Sequence, residues 1–132
     1  MVEAITLDDR NLTLLVDAET RDIIFDDDGH MQLIFADETT AQCVRLTLQT
    51  WKEEFFLDTS HGTEYERILG KKNNDISNDE AAEVIREAIF QELDVAEVDR
   101  VSVSFDDVNR QATSFFIAKL RSGATISTEV TA

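Results

Sequence analysis

Proline is absent from this sequence and glycine occurs only four times, so neither a rigid Pro-rich spacer nor a flexible Gly/Ser tether separates one part from another. With 132 residues the chain can bury one core and is too short for two ordinary domains. The expectation is a single domain over 1–132, with a β-rich segment at 1–36 and the main core at 37–132. A lone cysteine, Cys43, excludes an internal disulfide and fits assembly in a reducing cytoplasm as a small core side chain. The two histidines, His30 and His61, have no Cys or His at ligand spacing, which argues against a zinc site. No Gly-rich phosphate loop occurs and no cofactor is expected. Apolar runs reach only four or five residues, far below the roughly 20 that span a bilayer, and acids rather than basic residues lie near the start. These features predict a soluble protein without a secretory signal and without membrane contact.

Basic residues are also scarce. Twelve Lys and Arg stand against 28 Asp and Glu, a formal charge of −16. Residues 1–60 hold 14 acids against 4 bases, and residues 61–132 hold 14 against 8, so the first half is the more acidic. Such a field repels phosphate backbones, which argues against nucleic acid and favours basic protein faces as partners. Plain solubility is the competing explanation of the charge.

What is present has a clear order. Leu12–Val16 reads as a strand, and Asp22–Phe25 with Met31–Phe35 reads as a pair around the turn Asp26-Asp27-Asp28-Gly29. That turn lacks the alternating oxygen ligands and distal glutamate of an EF-hand, so it is read as a solvated turn. Between Asp37 and Trp51, Ala41, Val44, Leu48 and Trp51 recur at three, four and three, which predicts a helix. The alternation of Val44, Leu46 and Leu48 would suit a strand, but fifteen residues is long for one. Thr63 is placed to cap a short helix through Ile68 and Leu69, and Gly70 to close it. Ser77 and Glu80 form a capping box ahead of a second helix whose apolar stripe is Ala81, Val84, Ile85, Ala88, Ile89 and Leu93. Val101, Val103 and Phe105 alternate with serines, a further strand runs from Thr113 to Leu120, and Thr125–Val130 is a third strand or an extended tail. The fold class expected is therefore α+β, with central helices and a C-terminal antiparallel hairpin or meander.

The stretch LQTWKEEFFLDTSHGTEYERILGKK, Leu48 to Lys72, carries the most specific signal. Trp51, Phe55, Phe56 and Leu57 are expected to bury together, after which Asp58 to Gly62 is rich in turn formers. The order Thr, aromatic, basic, Glu, aromatic pair, Leu-Asp, Gly, Tyr, Ile-Leu-Gly resembles the small baseplate wedge proteins of contractile phage tails, a family of wedge components and sheath initiators. The family pattern has glycine where Glu53 stands, so a left-handed backbone there would strain Glu53. The resemblance covers most of residues 37–122. Many members carry Glu-Pro-Arg at the start of the strand at 100–101, held important for contact with neighbouring wedge proteins. Here Glu97-Val98-Asp99-Arg100 lacks the proline and is one residue longer, and only Arg100 is carried over, as a buried or interfacial guanidinium.

Some members of that family have been labelled lysozymes. Glycoside hydrolysis needs one acid of raised pKa and a second carboxylate across a sugar cleft. Glu53, Glu54 and Asp58 lie beside aromatics, but the same aromatics serve as core, and no distinctive acid pair stands out. Glu54, the acid of the family pattern, is expected to cap a turn or pair with an arginine across an interface. The resemblance implies a non-enzymatic wedge component in the virion baseplate, assembled in the host cytoplasm beside other wedge proteins, the tail sheath and the tail tube or hub. It would template the first sheath ring by strand pairing. The expected interface residues are Glu54, Arg100, Phe115, Ile117, Lys119, Ile126 and Thr128, and the expected structural anchors are Trp51, Phe55, Leu57 and Gly62. The rivals are a peptidoglycan-cleaving enzyme and a free acidic binding protein.

Overall fold

Short alternating segments and acid-rich turns shape the first part of the chain. The computed structural model describes residues 11–69, 78–106, 108–109 and 111–131. The chain divides into two compact units between Gln42 and Cys43. In the first unit β1 (Leu12–Leu14) pairs antiparallel with β2 (Leu33–Phe35), Leu12 opposite Phe35 and Leu14 opposite Leu33. The expected strand at 12–16 and the pair at 22–35 continue only as isolated bridges, Val16 with Ile23 and Phe25 with Met31. The Gln42 carboxamide interrupts the regular ladder there, accepting from the Val16 amide at 2.9 Å and donating to the Leu14 carbonyl at 2.7 Å. At 26–29 the Asp26 carboxylate accepts the amides of Asp28 and His30, each at 2.9 Å, and Gly29 takes a φ of 85°.

Helix α1 (Asp37–Gln49) settles the ambiguity at 37–51 in favour of the 3.6-residue period. Val44 and Leu48, one turn apart, are both fully buried, and Asp37 and Glu38 in the first turn suit the positive end of the helix dipole. Thr47, also buried, donates its hydroxyl to the Cys43 carbonyl at 2.9 Å, so a polar group is accommodated on the packed face.

The second unit contains α2 (Glu66–Leu69), α3 (Asn78–Ile89), and a sheet of β3 (Val95–Asp106), β4 (Gln111–Leu120) and β5 (Thr125–Thr131) in the order β3-β4-β5. Ala81, Val84, Ile85, Ala88 and Ile89 of α3 are buried as the stripe predicts. Leu93 is not: the helix stops at Ile89, so Leu93 falls out of phase and is 79% exposed. On β4, Ala112, Ser114, Phe116, Ala118 and Leu120 are buried; the apolar four join the α3 stripe, Tyr65, Ile68 and Val130 in one core. The alternation is the period-2 signature of a sheet with one packed face. Strand β3 begins at Val95 rather than near Val101, because bulges between Val95 and Glu97 and between Val98 and Arg100 let the acidic segment join the ladder. The C-terminal segment is a true third strand. The positions expected for Gly70 and Ser77 as caps lie outside the described residues.

Candidate interaction surface

After α1 ends, Trp51 and Thr63 form a parallel bridge, and the eleven-residue segment between them is closed by backbone hydrogen bonds. Lys52 donates to the Thr63 carbonyl and Glu53 to the Thr59 carbonyl, both at 3.0 Å, while the Thr63 amide returns to the Thr50 carbonyl at 2.9 Å. Glu54 is the turn's own cap. Its carboxylate accepts the Trp51 amide at 2.8 Å, and its amide donates to the Trp51 carbonyl at 3.0 Å. Glu53 has a φ of 74°, the left-handed conformation that glycine would adopt without strain, so this side chain costs about 1 kcal/mol at that position.

Gly62 is fixed by a different constraint. Its φ is 117°, and a Cβ there would lie 2.8 Å from the Thr50 carbonyl oxygen and 2.9 Å from the Trp51 carbonyl carbon. The Gln91 carboxamide clamps the same residue from beyond α3, accepting its amide at 3.1 Å and donating to its carbonyl at 2.6 Å. Thr63 does not cap a helix. Its buried hydroxyl donates instead to the Thr47 carbonyl at 3.0 Å, and α2 begins only at Glu66. Beneath the turn the Tyr65 hydroxyl donates to the Leu48 carbonyl, and burial raises this phenol far above its ordinary value. Trp51 packs on Tyr65 with ring centroids 5.4 Å apart.

The expectation that the turn's apolar residues bury together is overturned. Trp51 is 36% exposed, Phe55 42%, Phe56 83% and Leu57 73%. Bulk alone does not bury a side chain. The backbone hydrogen bonds close the turn on itself with residues 55–57 exposed, while the buried residues that follow it are Tyr65, packed on Trp51, and Ile68. Phe55 contacts the turn's own rings, Phe56 at 6.1 Å and His61 at 6.3 Å.

The strand positions divide by face. Phe115 sits opposite Ser102 and Glu129, Ile117 opposite Arg100 and Ser127, and Lys119 opposite Glu97 and Thr125, all on the outer face. Ile126 and Thr128 lie opposite the buried Ala118 and Phe116, on the inner face, and Ile126 packs against the core. Of the expected interface residues these two therefore lie on the core side of the sheet, since a residue's face follows that of its cross-strand partner. Arg100 is exposed rather than buried, because the bulge after Val98 places it on the outer face. With Asp99, Phe115, Asp79, Glu83 and Arg86 it lines a groove of about 640 Å³ between β3 and α3.

Three described groups bear on the chemistry the sequence raised, namely Asp58, the Asp26–His30 turn and Cys43. Asp58 is fully exposed, and the Ser60 hydroxyl and amide hold its carboxyl below the usual range, opposite to what a general acid at neutral pH requires. Asp26, Asp28 and His30 offer ligand atoms within 4.8 Å of one another, but the Asp26 oxygen is already engaged with two turn amides. Burial, with the charges of Glu92 and Asp94, pushes the Cys43 thiol up, away from a nucleophilic thiolate.

Comparison with known proteins gives the fold and the family separately. A crystal structure from Geobacter sulfurreducens, of a protein provisionally labelled a tail lysozyme, superposes with a TM-score of 0.55 at 16% identity, covering 73% of this chain and 88% of that one. That likeness establishes the fold alone. No curated protein matches the chain. The family model of the contractile injection system sheath initiator matches residues 12–123, nearly the whole described chain. The chain belongs to the contractile injection system sheath initiator family.

Proposed function

We propose that the protein is a non-enzymatic wedge component of a contractile tail baseplate, and that the outer edge of β5 templates the first ring of tail sheath by strand pairing. The observation that supports this reading is the position of β5. Among the described residues it pairs with β4 alone, which leaves one row of its backbone amides and carbonyls directed away from the sheet. Strand β3 forms the other edge but carries Glu97, Asp99, Arg100 and Asp106, and α3 lies beside it. Charges guard an edge against pairing, whereas β5 has a single charge, Glu129. Strand β4 is paired on both sides, so residues 113–120 contribute side chains only, and pairing by the backbone falls to 125–131. The partners would be other wedge proteins, the sheath and the tail tube or hub, with the net charge of −16 selecting basic faces.

The test is a photo-crosslinking amino acid in place of Ser127, which is exposed on β5. In assembled tails the adduct is expected with the sheath subunit. Adducts confined to wedge proteins would refute templating by β5 while leaving baseplate membership intact. A purified preparation should release no muropeptides from cell walls, and release abolished by Glu54→Gln would establish the enzymatic rival. Truncation after Ser122 is a poorer test, because it removes Val130 from the core and uncovers β4.

A further inference from the structure

The exposed residues of the 51–63 turn differ from the apolar side chains scattered elsewhere on the surface. Ile23, Phe25, Met31 and Leu33 are 41–59% exposed on short paired segments, and Phe90, Leu93 and Val108 are exposed singly along the chain, whereas Phe56 and Leu57 reach 83% and 73% side by side. Phe55, Phe56 and Leu57 are consecutive, and their backbone is held by hydrogen bonds at 51–54, 53–59, 55–58 and 58–61. A left-handed Glu53 is retained on one side, and Gly62 is clamped by Gln91 on the other. Exposed aromatics on a pre-shaped loop lose little conformational freedom on binding, which is the condition under which such side chains act as anchors. Contiguous exposed apolar patches rimmed by polar residues are a feature of protein interaction surfaces.

Charge restricts what can cover it. Glu53, Glu54 and Asp58 bracket the triplet and are all exposed. The adjacent cation, Lys52, is paired with Glu64 at 2.9 Å. An apolar partner surface lacking cations would bring these acids against a low-dielectric wall, whereas a basic rim would meet them with opposite charge.

We infer that Phe55, Phe56 and Leu57 form an anchor that inserts into an apolar groove rimmed by Lys or Arg on a different protein of the same particle. This surface is separate from the β5 edge, and the location of its partner rests on the proposed baseplate role.

The experiment uses the full chain in assembling particles. Phe56→Ser and Leu57→Ser are expected to leave the thermal midpoint unchanged within about 2 °C, as for exposed sites. Incorporation into particles should fall about tenfold or more, as for the loss of an interface anchor. Glu53→Lys, which keeps the left-handed backbone problem and reverses the charge, should reduce incorporation more than Glu53→Gln. A photo-crosslinker at position 56 is expected to label a segment of another protein containing apolar residues and Lys or Arg. Normal incorporation of Phe56→Ser, an adduct with a second copy of this chain, or an adduct with an acidic segment overturns the inference. Absence of the wild-type chain from particles overturns the baseplate role and this inference together. Wild-type present with Phe56→Ser equally present overturns this one alone.

Discussion

Residues 51–57 and residues 81–89 are comparably apolar, yet they occupy opposite environments. The α3 stripe is at most 2% exposed, while Phe56 and Leu57 in the turn are 83% and 73% exposed. In α3 the apolar positions repeat at the helical period, so one rotation buries all of them. In the turn they are adjacent, so neither the helical nor the strand period gathers them on one face. Local bulk therefore predicts affinity for an apolar surface without saying whether that surface belongs to the same chain.

Mutations should separate the two regions by magnitude. Phe116 on β4, fully buried against the α3 stripe, gives the largest expected effect: Phe116→Ala should cost about 3–5 kcal/mol in reversible denaturation. A loss below about 1 kcal/mol would erase the contrast. Gly62→Ala should follow, with about 1–3 kcal/mol from the φ of 117° and a further penalty from the carbonyl contacts, read as a lowered urea midpoint. An unchanged midpoint would show that the turn does not depend on that conformation.

Tyr65, which packs under Trp51, links the two regions and makes them sensitive to alkali. Its folded pKa is raised above the ordinary 10.0 by burial, so its contribution is fully present below about pH 10 and is lost as pH rises toward the folded value, because only the unfolded chain ionises readily. Melts of wild type and Tyr65→Phe between pH 8 and 11 should converge as pH rises. Parallel curves would mean that the phenol titrates normally. The smallest effect belongs to Phe56→Ala, within about 0.5 kcal/mol, as for a surface site. A cost comparable with Phe116→Ala would place Phe56 in the core and remove the basis of the docking surface.

Periodicity makes the α3 stripe and the alternation of β4 legible in the amino-acid sequence, and it favours helix for residues 37–49. The pattern around 48–72 points to the family and marks Glu53 as standing where the backbone is left-handed. Other features are not legible because they depend on partners distant in sequence. The exposure of Phe55 goes with the turn's backbone hydrogen bonds, among them that of Glu53 to Thr59, six residues apart. The inward face of Ile126 is decided by register with Ala118. The use of the Thr63 hydroxyl is decided by the Thr47 carbonyl, sixteen residues away. The early start of β3 is hidden by acids that read as linker, because bulges break the period-2 pattern.

The Gln91 clamp on Gly62 joins positions 29 residues apart, with α3 lying between them in the chain. Both bonds require position 91, just past the end of α3, to lie at the base of the turn. The geometry of the turn that displays the aromatics thus depends on a residue outside it, placed by the end of α3. Hydrolysis of this one carboxamide to a carboxylate would remove the donor to the Gly62 carbonyl, loosening the turn without altering any residue within it.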